Sequence, residues 1–486
     1  MARRVFLGID CGTQSTKAVL VDADSLAVVA VGRGAHDLIE AADGTREQQP
    51  AWWIEALIAA TREALAAAGP VEIAGVGVSG QQHGLVCLDA TQQPIRAAKL
   101  WNDTTTGPDC AWLTRKLGGL EAVLALTGNA FVPGYTAPKI SWLHRSEPET
   151  YSATRQMCLP HDYINLWLTG EYATEPGDAS GTGYFDIRTL SYSQQVLALL
   201  DGERDWAATL PPVVPSLSTV GRLRPAAAEA LGIAPGAPVS GGGGDNACAA
   251  IGIGAVSEGP VVVSLGTSGT AFTYRNAPAV DPLGEVCGFC SSTGGWLPLS
   301  CTLNCTGVTE WVRRLFGLDH AGIEAALAAT QPGADGLSFL PYLDGERTPN
   351  LPDAAGRFHG LRTGHDRDQI VRAVLEGVSF GLAYQLEALR RTGVAPTRIT
   401  LVGGGAASTA WGQLLADVLQ LPVGRPEITE AAASGGALQS RWVVDGQAPP
   451  QPLLSATWEP RSSTLLDEAA QRVAAMRQQL HTTAGA

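Results

Sequence analysis

The sequence predicts an α/β protein made of two related lobes, and three observations predict it. A strand, a glycine-containing turn and a second strand occur twice, as GIDCGTQSTKAVLVD at 8–22 and VVVSLGTSGTAFTY at 261–274. Internal repetition of this kind carries more weight than either copy alone. Short apolar runs alternate with amphipathic helical stretches, the mixture expected of layered α/β packing. A third strand–glycine–helix unit, RITLVGGGAAS, follows at 398–408. The chain has 486 residues, enough for two to four domains, each able to bury its own core. We divide it into an N-terminal lobe, 1–240, and a C-terminal lobe, 241–486.

The elements follow in order. VFLGID at 5–10 is a short apolar strand ending on an acid, and AVLVD at 18–22 is its return. Residues 52–67, WWIEALIAATREALAA, form a helix with its apolar positions on one side and abundant alanine. VEIAGVGV at 71–78 is a buried strand that runs into SGQQHG. From 101 to about 240 the chain is richer in loops and short helices, and PPVVPSLSTVG at 211–221 reads as a surface connection. VSGGGGDNACAAIGIGAV, from 239, is a strand end, a glycine loop and a small-residue helix. Residues 368–391 give the clearest helix, with Ile370, Val374, Val378, Leu382, Leu386 and Leu389 three or four apart. A last helix spans 466–480, and the terminal HTTAGA is expected to fray.

Composition excludes several classes. The formal charge of −14 argues against a nucleic-acid binder. Mean hydropathy is near zero, and no apolar run reaches the ~18 residues of a membrane span. The start, MARRVFLGIDCG, lacks the apolar core of a signal peptide, so a cytoplasmic protein is expected. Nine cysteines, an odd number in a long chain, do not make a disulfide framework. Cys287, Cys290, Cys301 and Cys305 have tempting metal spacing, but no histidine or charged cluster joins them. They read as small hydrophobes.

Several segments carry chemistry. In the first turn, Gly12, Thr13, Ser15 and Thr16 offer close backbone N–H groups and hydroxyls to an anion. Asp10 beside phosphates makes sense if magnesium stands between them. The loop is not the G-x-x-x-x-G-K-[ST] type, and an ordinary tight hairpin is the plain alternative. Gly266 and Thr267 form the second turn, and phosphoryl transfer needs both sides of a phosphate chain held. Asp245 follows four glycines, Gly241 to Gly244, so something must approach the backbone there. It serves as a general base for a hydroxyl, or as an N-cap of the helix starting at Asn246, and the two roles are compatible. Gln82 and His83, with Trp101, Asn102 and Asp103, suit a polyhydroxylated ligand; a satisfied loop histidine and a surface tryptophan are the plain alternatives. Gly404 and Gly405, after the strand at 400–402, fit a nucleotide site or merely close helix–strand packing.

Taken together, GIDCGTQSTKAVLVD, SGQQHG, WND, SGGGGDNACAAIG, SLGTSG, FLPYLDGERTP and TLVGGGAAS, in this order from residue 7 to about 438, resemble the FGGY carbohydrate kinases. The resemblance implies a two-lobed actin-like (ribonuclease-H-like) ATPase fold with a central cleft. It implies ATP and Mg2+ mainly with the C-terminal lobe and a ketose mainly with the N-terminal lobe. By motif, Asp245 looks like the catalytic base and Asp10 like the acid acting on the metal-bound phosphates, with both near the metal, through water if not directly. Thr13 and Lys17 share the first phosphate motif with Gly12. Gly266 and Thr267 match the second, and Gly404 and Gly405 the adenosine motif. Gln82, His83, Trp101, Asn102, Asp103 and Asp245 fall at the sugar. A homodimer is common among such enzymes. There are two departures: Gln82 stands where methionine is more usual, and EAAASGGALQS at 430–440 replaces a more usual A-L-G-A-A stretch, away from the phosphates. Other readings are a kinase for another ketose or polyol, and a nucleotide-binding sensor without catalysis.

Overall fold

The computed structural model describes residues 2–484. The chain folds into two compact units, each discontinuous in sequence. Unit 1 takes Met1–Val256, Arg275–Leu297 and Ile428–Gln451; unit 2 takes Ser257–Tyr274, Pro298–Glu427 and Pro452–Ala486. A single cut at 240/241 does not describe this division, because the glycine loop and the 430–440 segment both belong to unit 1.

Each unit is built on a mixed sheet, and the two sheets share one plan. In unit 1 the order is Val28–Ala35, Ser15–Asp22, Arg3–Cys11, Val71–Gly80, Pro238–Ser240 and Thr219–Arg222, with Gly243–Gly244 also paired to Val71–Gly80. The pairings run antiparallel, antiparallel, parallel, parallel, antiparallel. In unit 2 the order is Trp296–Thr302, Gly269–Phe272, Pro260–Leu265, Arg398–Val402, Val423–Pro426 and Leu454–Trp458. The senses repeat in the same sequence. The repeat read from the two turns therefore extends through six strands.

Close packing on both faces of the first sheet depends on residues without side chains. On one face, Cβ atoms at Gly32 and Gly34 would overlap the carbonyl oxygens of Ala60 and Ala56 in helix Pro50–Ala68. Trp53, Leu57 and Ala60 pack there on Ile9, Ala18 and Leu20. On the other face lies helix Ala431–Asp445. A Cβ at Gly8 would overlap Ala433 O, and one at Gly77 would overlap Gly436 O. Phe6, Val19, Ala433 and Ala437 fill this second layer. The stretch EAAASGGALQS is thus a small-residue packing face, shaped for backbone-to-backbone approach.

In unit 2 the long helix is Arg367–Arg391. Asp366 caps it and exchanges bonds with Gln369, while Arg390 and Arg391 sit at the negative end. The segment 211–221 is only partly a connection: Ser216 is buried on Glu175, and the chain then enters the edge strand Thr219–Arg222. The last helix runs Thr464–Ala484, and the final two residues of the end expected to fray lie outside the described residues. Cys287 and Cys290 belong to unit 1, Cys301 and Cys305 to unit 2, and all nine cysteines are free. Among the described residues, no helix is long and apolar enough to cross a membrane.

Candidate active site

The parallel pairing of three strand ends gathers the acids of unit 1. Asp10 lies opposite Ser79, and Ser79 opposite Gly243. One step further, Cys11, Gly80 and Gly244 are aligned, and Asp245 follows at once. Ser79 Oγ donates to Asp10 Oδ1 at 2.8 Å. Burial pushes the Asp10 carboxyl above its ordinary range, against the Ser79 bond and the Lys17 charge. Asp245 opens helix Asp245–Gly252, a residue earlier than expected, with Gly244 as its cap. Its Oδ1 accepts the Asn246 backbone N–H at 2.7 Å and the Asn246 Nδ2 at 3.0 Å. Burial, then the nearby Asp10 charge, push Asp245 up to about 7.

The four glycines before Asp245 are crowded by the protein itself. A Cβ at Gly241 would press on the Ser216 carbonyl, one at Gly243 on the Ser292 hydroxyl, and one at Gly244 on the Gln82 side chain. Gly242 has φ of +73°, a left-handed conformation suited to glycine. Beneath the loop, buried Gln439 donates to Gly242 O and accepts from Gly242 N and Ser240 Oγ, each at 2.8 Å. His161 pairs with Asp178 at 2.7 Å. Burial works against its charge, but Asp162, Asp178 and Glu175 outweigh it and lift His161 to about 9. The approach to the glycines, inferred from the sequence without a partner, is this buried polar bed.

The polar residues of SGQQHG and WND divide sharply. Gln82 is buried, and its Oε1 accepts from Asn246 Nδ2 at 2.9 Å. That links it to Asp245, a link a thioether makes poorly. His83 is half-buried, with its ring 4.8 Å from Tyr135 and 5.6 Å from Phe289. Trp101 is 45% exposed, and its Nε1 donates to Thr13 Oγ1 at 3.0 Å. Asn102 Oδ1 is buried without a hydrogen-bond partner among the described residues. Asp103 is fully enclosed: it accepts from Lys99 Nζ at 2.8 Å, Arg46 N at 2.9 Å and Thr105 Oγ1 at 2.6 Å. Burial raises its carboxyl, but these donors outweigh it and hold it below the ordinary range.

Residues that sequence reasoning missed support the first turn. Gln48 Nε2 donates to Thr13 O at 2.7 Å, while its Oε1 accepts from Gln81 Nε2 at 2.8 Å and Trp53 Nε1 at 2.9 Å. Gly12 N closes the turn on Ser15 O at 3.1 Å. Lys17, opposite Asp10 in the hairpin, pairs with Glu430 at 2.6 Å, and Glu430 also holds Arg33. The segment that begins at 430 therefore reaches the strand that returns from the first turn.

In unit 2, Gly266–Ser268 is the short turn between Leu265 and Gly269. The N–H groups of Thr306 and Gly307, at the start of helix Thr306–Leu315, bond to Gly266 O at 2.9 Å and Thr267 O at 3.1 Å. The Thr267 side chain is left exposed. The parallel pair Ser264↔Val402 sets the glycines after 402 beside this turn. Gly403 has φ of +88°, and side chains at Gly403 or Gly405 would press on Leu265. Gly404 is exposed with open space at its Cβ position.

Duplicated sheets, each with a tight turn at the same place and acids at the strand ends of one, define a two-lobed actin-like, ribonuclease-H-like ATPase fold. The chain belongs to the FGGY family of carbohydrate kinases: the family's N-terminal domain matches residues 5–252 and its C-terminal domain residues 261–442. It is 41% identical over 445 residues to a xylulose kinase of Haemophilus influenzae, covering 90% of each chain. Among solved structures, it is similar to xylulose kinases from Bifidobacterium adolescentis (TM-score 0.86, 32% identity, 97% of this chain and 99% of that one) and Rhodospirillum rubrum (TM-score 0.91, 28% identity, 99% of both). The protein is a carbohydrate kinase, a phosphotransferase.

Proposed function

We propose that the chain phosphorylates D-xylulose with ATP, giving D-xylulose 5-phosphate and ADP for pentose metabolism. The observation that carries the sugar class is the uncharged side chain of Asn102. Its buried, unpartnered Oδ1 suits a hydroxyl donor. Gln82, His83 and Trp101 add an amide, an imidazole and an indole, while the Asp103 carboxylate beneath is neutralised by Lys99. A sugar acid finds no free arginine in these motifs, and leaving its carboxylate unpaired costs several kcal/mol. The similarity to xylulose kinases favours xylulose among neutral sugars.

In this reading Asp245 takes the proton of the terminal hydroxyl. That oxygen bonds to the γ-phosphorus as the bond to the bridging oxygen of ADP breaks. Asn246, fixed by Gln82, holds the Asp245 carboxylate in place. Asp10 and Asp245, two half-buried carboxylates of which the first raises the proton affinity of the second, would hold a magnesium ion, through water if not directly. Bound there, magnesium would supply charge neutralisation for the transferring phosphoryl group. Gly12, Thr13, Lys17, Gly266 and Thr267 contact the phosphates, and Gly404 and Gly405 the adenosine.

Two experiments test this. Under saturating MgATP, kcat/KM for D-xylulose is expected to exceed that for D-ribulose, D-fructose, L-fuculose, glycerol and gluconate. A rival about tenfold better overturns the substrate and leaves the kinase. Thr267→Val is expected to raise KM for ATP several-fold through the lost hydroxyl and leave sugar affinity unchanged. Weaker sugar binding with normal ATP behaviour, seen by calorimetry, overturns the assignment of that turn.

A further inference from the structure

One lysine among the sugar-side loops of unit 1 takes no part in the reaction drawn above. Lys139 lies in helix Thr136–Ser146 and is completely buried. Among the described residues no carboxylate lies within ion-pair distance of it, although the Asp103 charge favours its protonation. Its ammonium instead donates to two backbone carbonyls, His83 O and Gly134 O, each at 2.6 Å. Thr136 Oγ1 gives the His83 carbonyl a second donor at 3.2 Å. A buried ammonium satisfied only by carbonyls is costly to keep, and burial pushes Lys139 well below the ordinary lysine range. Methionine would fill the same volume without that cost.

The two carbonyls explain the arrangement. His83 has φ of +67°, in the left-handed region that a residue with a Cβ avoids. Such a residue persists only when its surroundings over-determine it. Gly134 is seated against the Trp101 carbonyl so closely that a Cβ would overlap it. The imidazole of His83 fits between Tyr135 and Phe289 only because Gly181 carries no side chain. One ammonium therefore fixes the His83 backbone and joins it to the segment beneath Trp101.

We propose that Lys139 is a positioning residue that locks His83 in its left-handed conformation and so aims the imidazole at the sugar. The proposal rests on the reading of His83 as a sugar contact. The test is a double-mutant cycle of Lys139→Met and His83→Ala, read as KM for D-xylulose and for ATP. Lys139→Met alone is expected to raise the sugar KM about tenfold, with the ATP KM within about twofold. In the His83→Ala background it is expected to add nothing, because it acts through the residue already removed. Additive effects, an ATP KM rising in step, or an unchanged sugar KM overturn the proposal. If His83→Ala leaves the sugar KM unchanged, the reading of the sugar site itself falls. An impaired His83→Ala beside a normal Lys139→Met overturns the role of Lys139 alone. Should Lys139→Met fail to fold, Thr136→Val replaces it in the same cycle, with about a threefold rise expected and the same outcomes deciding.

Discussion

Asp245→Asn is expected to lower kcat by about 10²–10⁴ and, at pH 8, to raise the melting temperature. The first effect follows from losing a base used only in the transition state. The second follows from proton linkage. The folded protein lifts the Asp245 carboxyl to about 7, chiefly by burial and then by the Asp10 charge. A group raised in the folded state contributes stability at low pH and loses it as the pH rises through that value. At pH 8 the wild-type protein therefore carries an ionised carboxylate in an unfavourable place, and asparagine does not. The thermal advantage of the variant is expected to shrink as the pH falls from 8 to about 4, near the ordinary carboxylate range. With the wild type, kcat/KM should decline on acidification through about pH 7 as the base is protonated. Near-normal turnover of Asp245→Asn, or a variant less stable than wild type at pH 8, would remove Asp245 from this role. A stabilised but inactive variant marks a residue kept for chemistry at a cost to the fold.

Gly435→Ala is expected to cost about 3 kcal/mol or more and to leave little folded enzyme. The added Cβ would overlap the carbonyl oxygen of Cys248, in the helix that begins with Asp245. A backbone atom in a packed helix cannot swing aside as a side-chain tip can. The contrast is Gly381→Ala. Gly381 lies inside helix Arg367–Arg391 with open space at its Cβ position. There the change is expected to stabilise by about 0.5–1 kcal/mol, the ordinary helical preference for alanine. Denaturant unfolding of both variants checks the pair; a Gly435→Ala as stable as wild type would show that the two helices can separate freely.

What the sequence revealed follows periodicity. The helices expected at 52–67 and 368–391 are Pro50–Ala68 and Arg367–Arg391, and the strand at 71–78 is Val71–Gly80. Their burial patterns are one-sided or continuous, and apolar spacing reports that directly. The two tight hairpin turns were legible because glycine and hydroxyl residues cluster there between apolar strands. What stayed hidden is polar and buried. Gln48, Gln81 and Lys139 are enclosed, yet in a string of letters such residues read as surface. Asp103 illustrates the converse. It sits in a motif that looks exposed, and three neighbours occupy it in the interior. The pairing of Glu430 with Lys17 joins residues from opposite ends of the chain, and no local pattern anticipates it.

The discontinuity of unit 1 has a consequence for biosynthesis. Its central strands emerge from the ribosome about 350 residues before helix Ala431–Asp445, which covers one face of that sheet. At about 5–20 residues per second, the nascent sheet waits on the order of ten seconds or more with Phe6, Val19 and Val21 uncovered. Chaperones that shield apolar sheet surface have a defined window in which to act, and it closes only when that helix has cleared the exit tunnel.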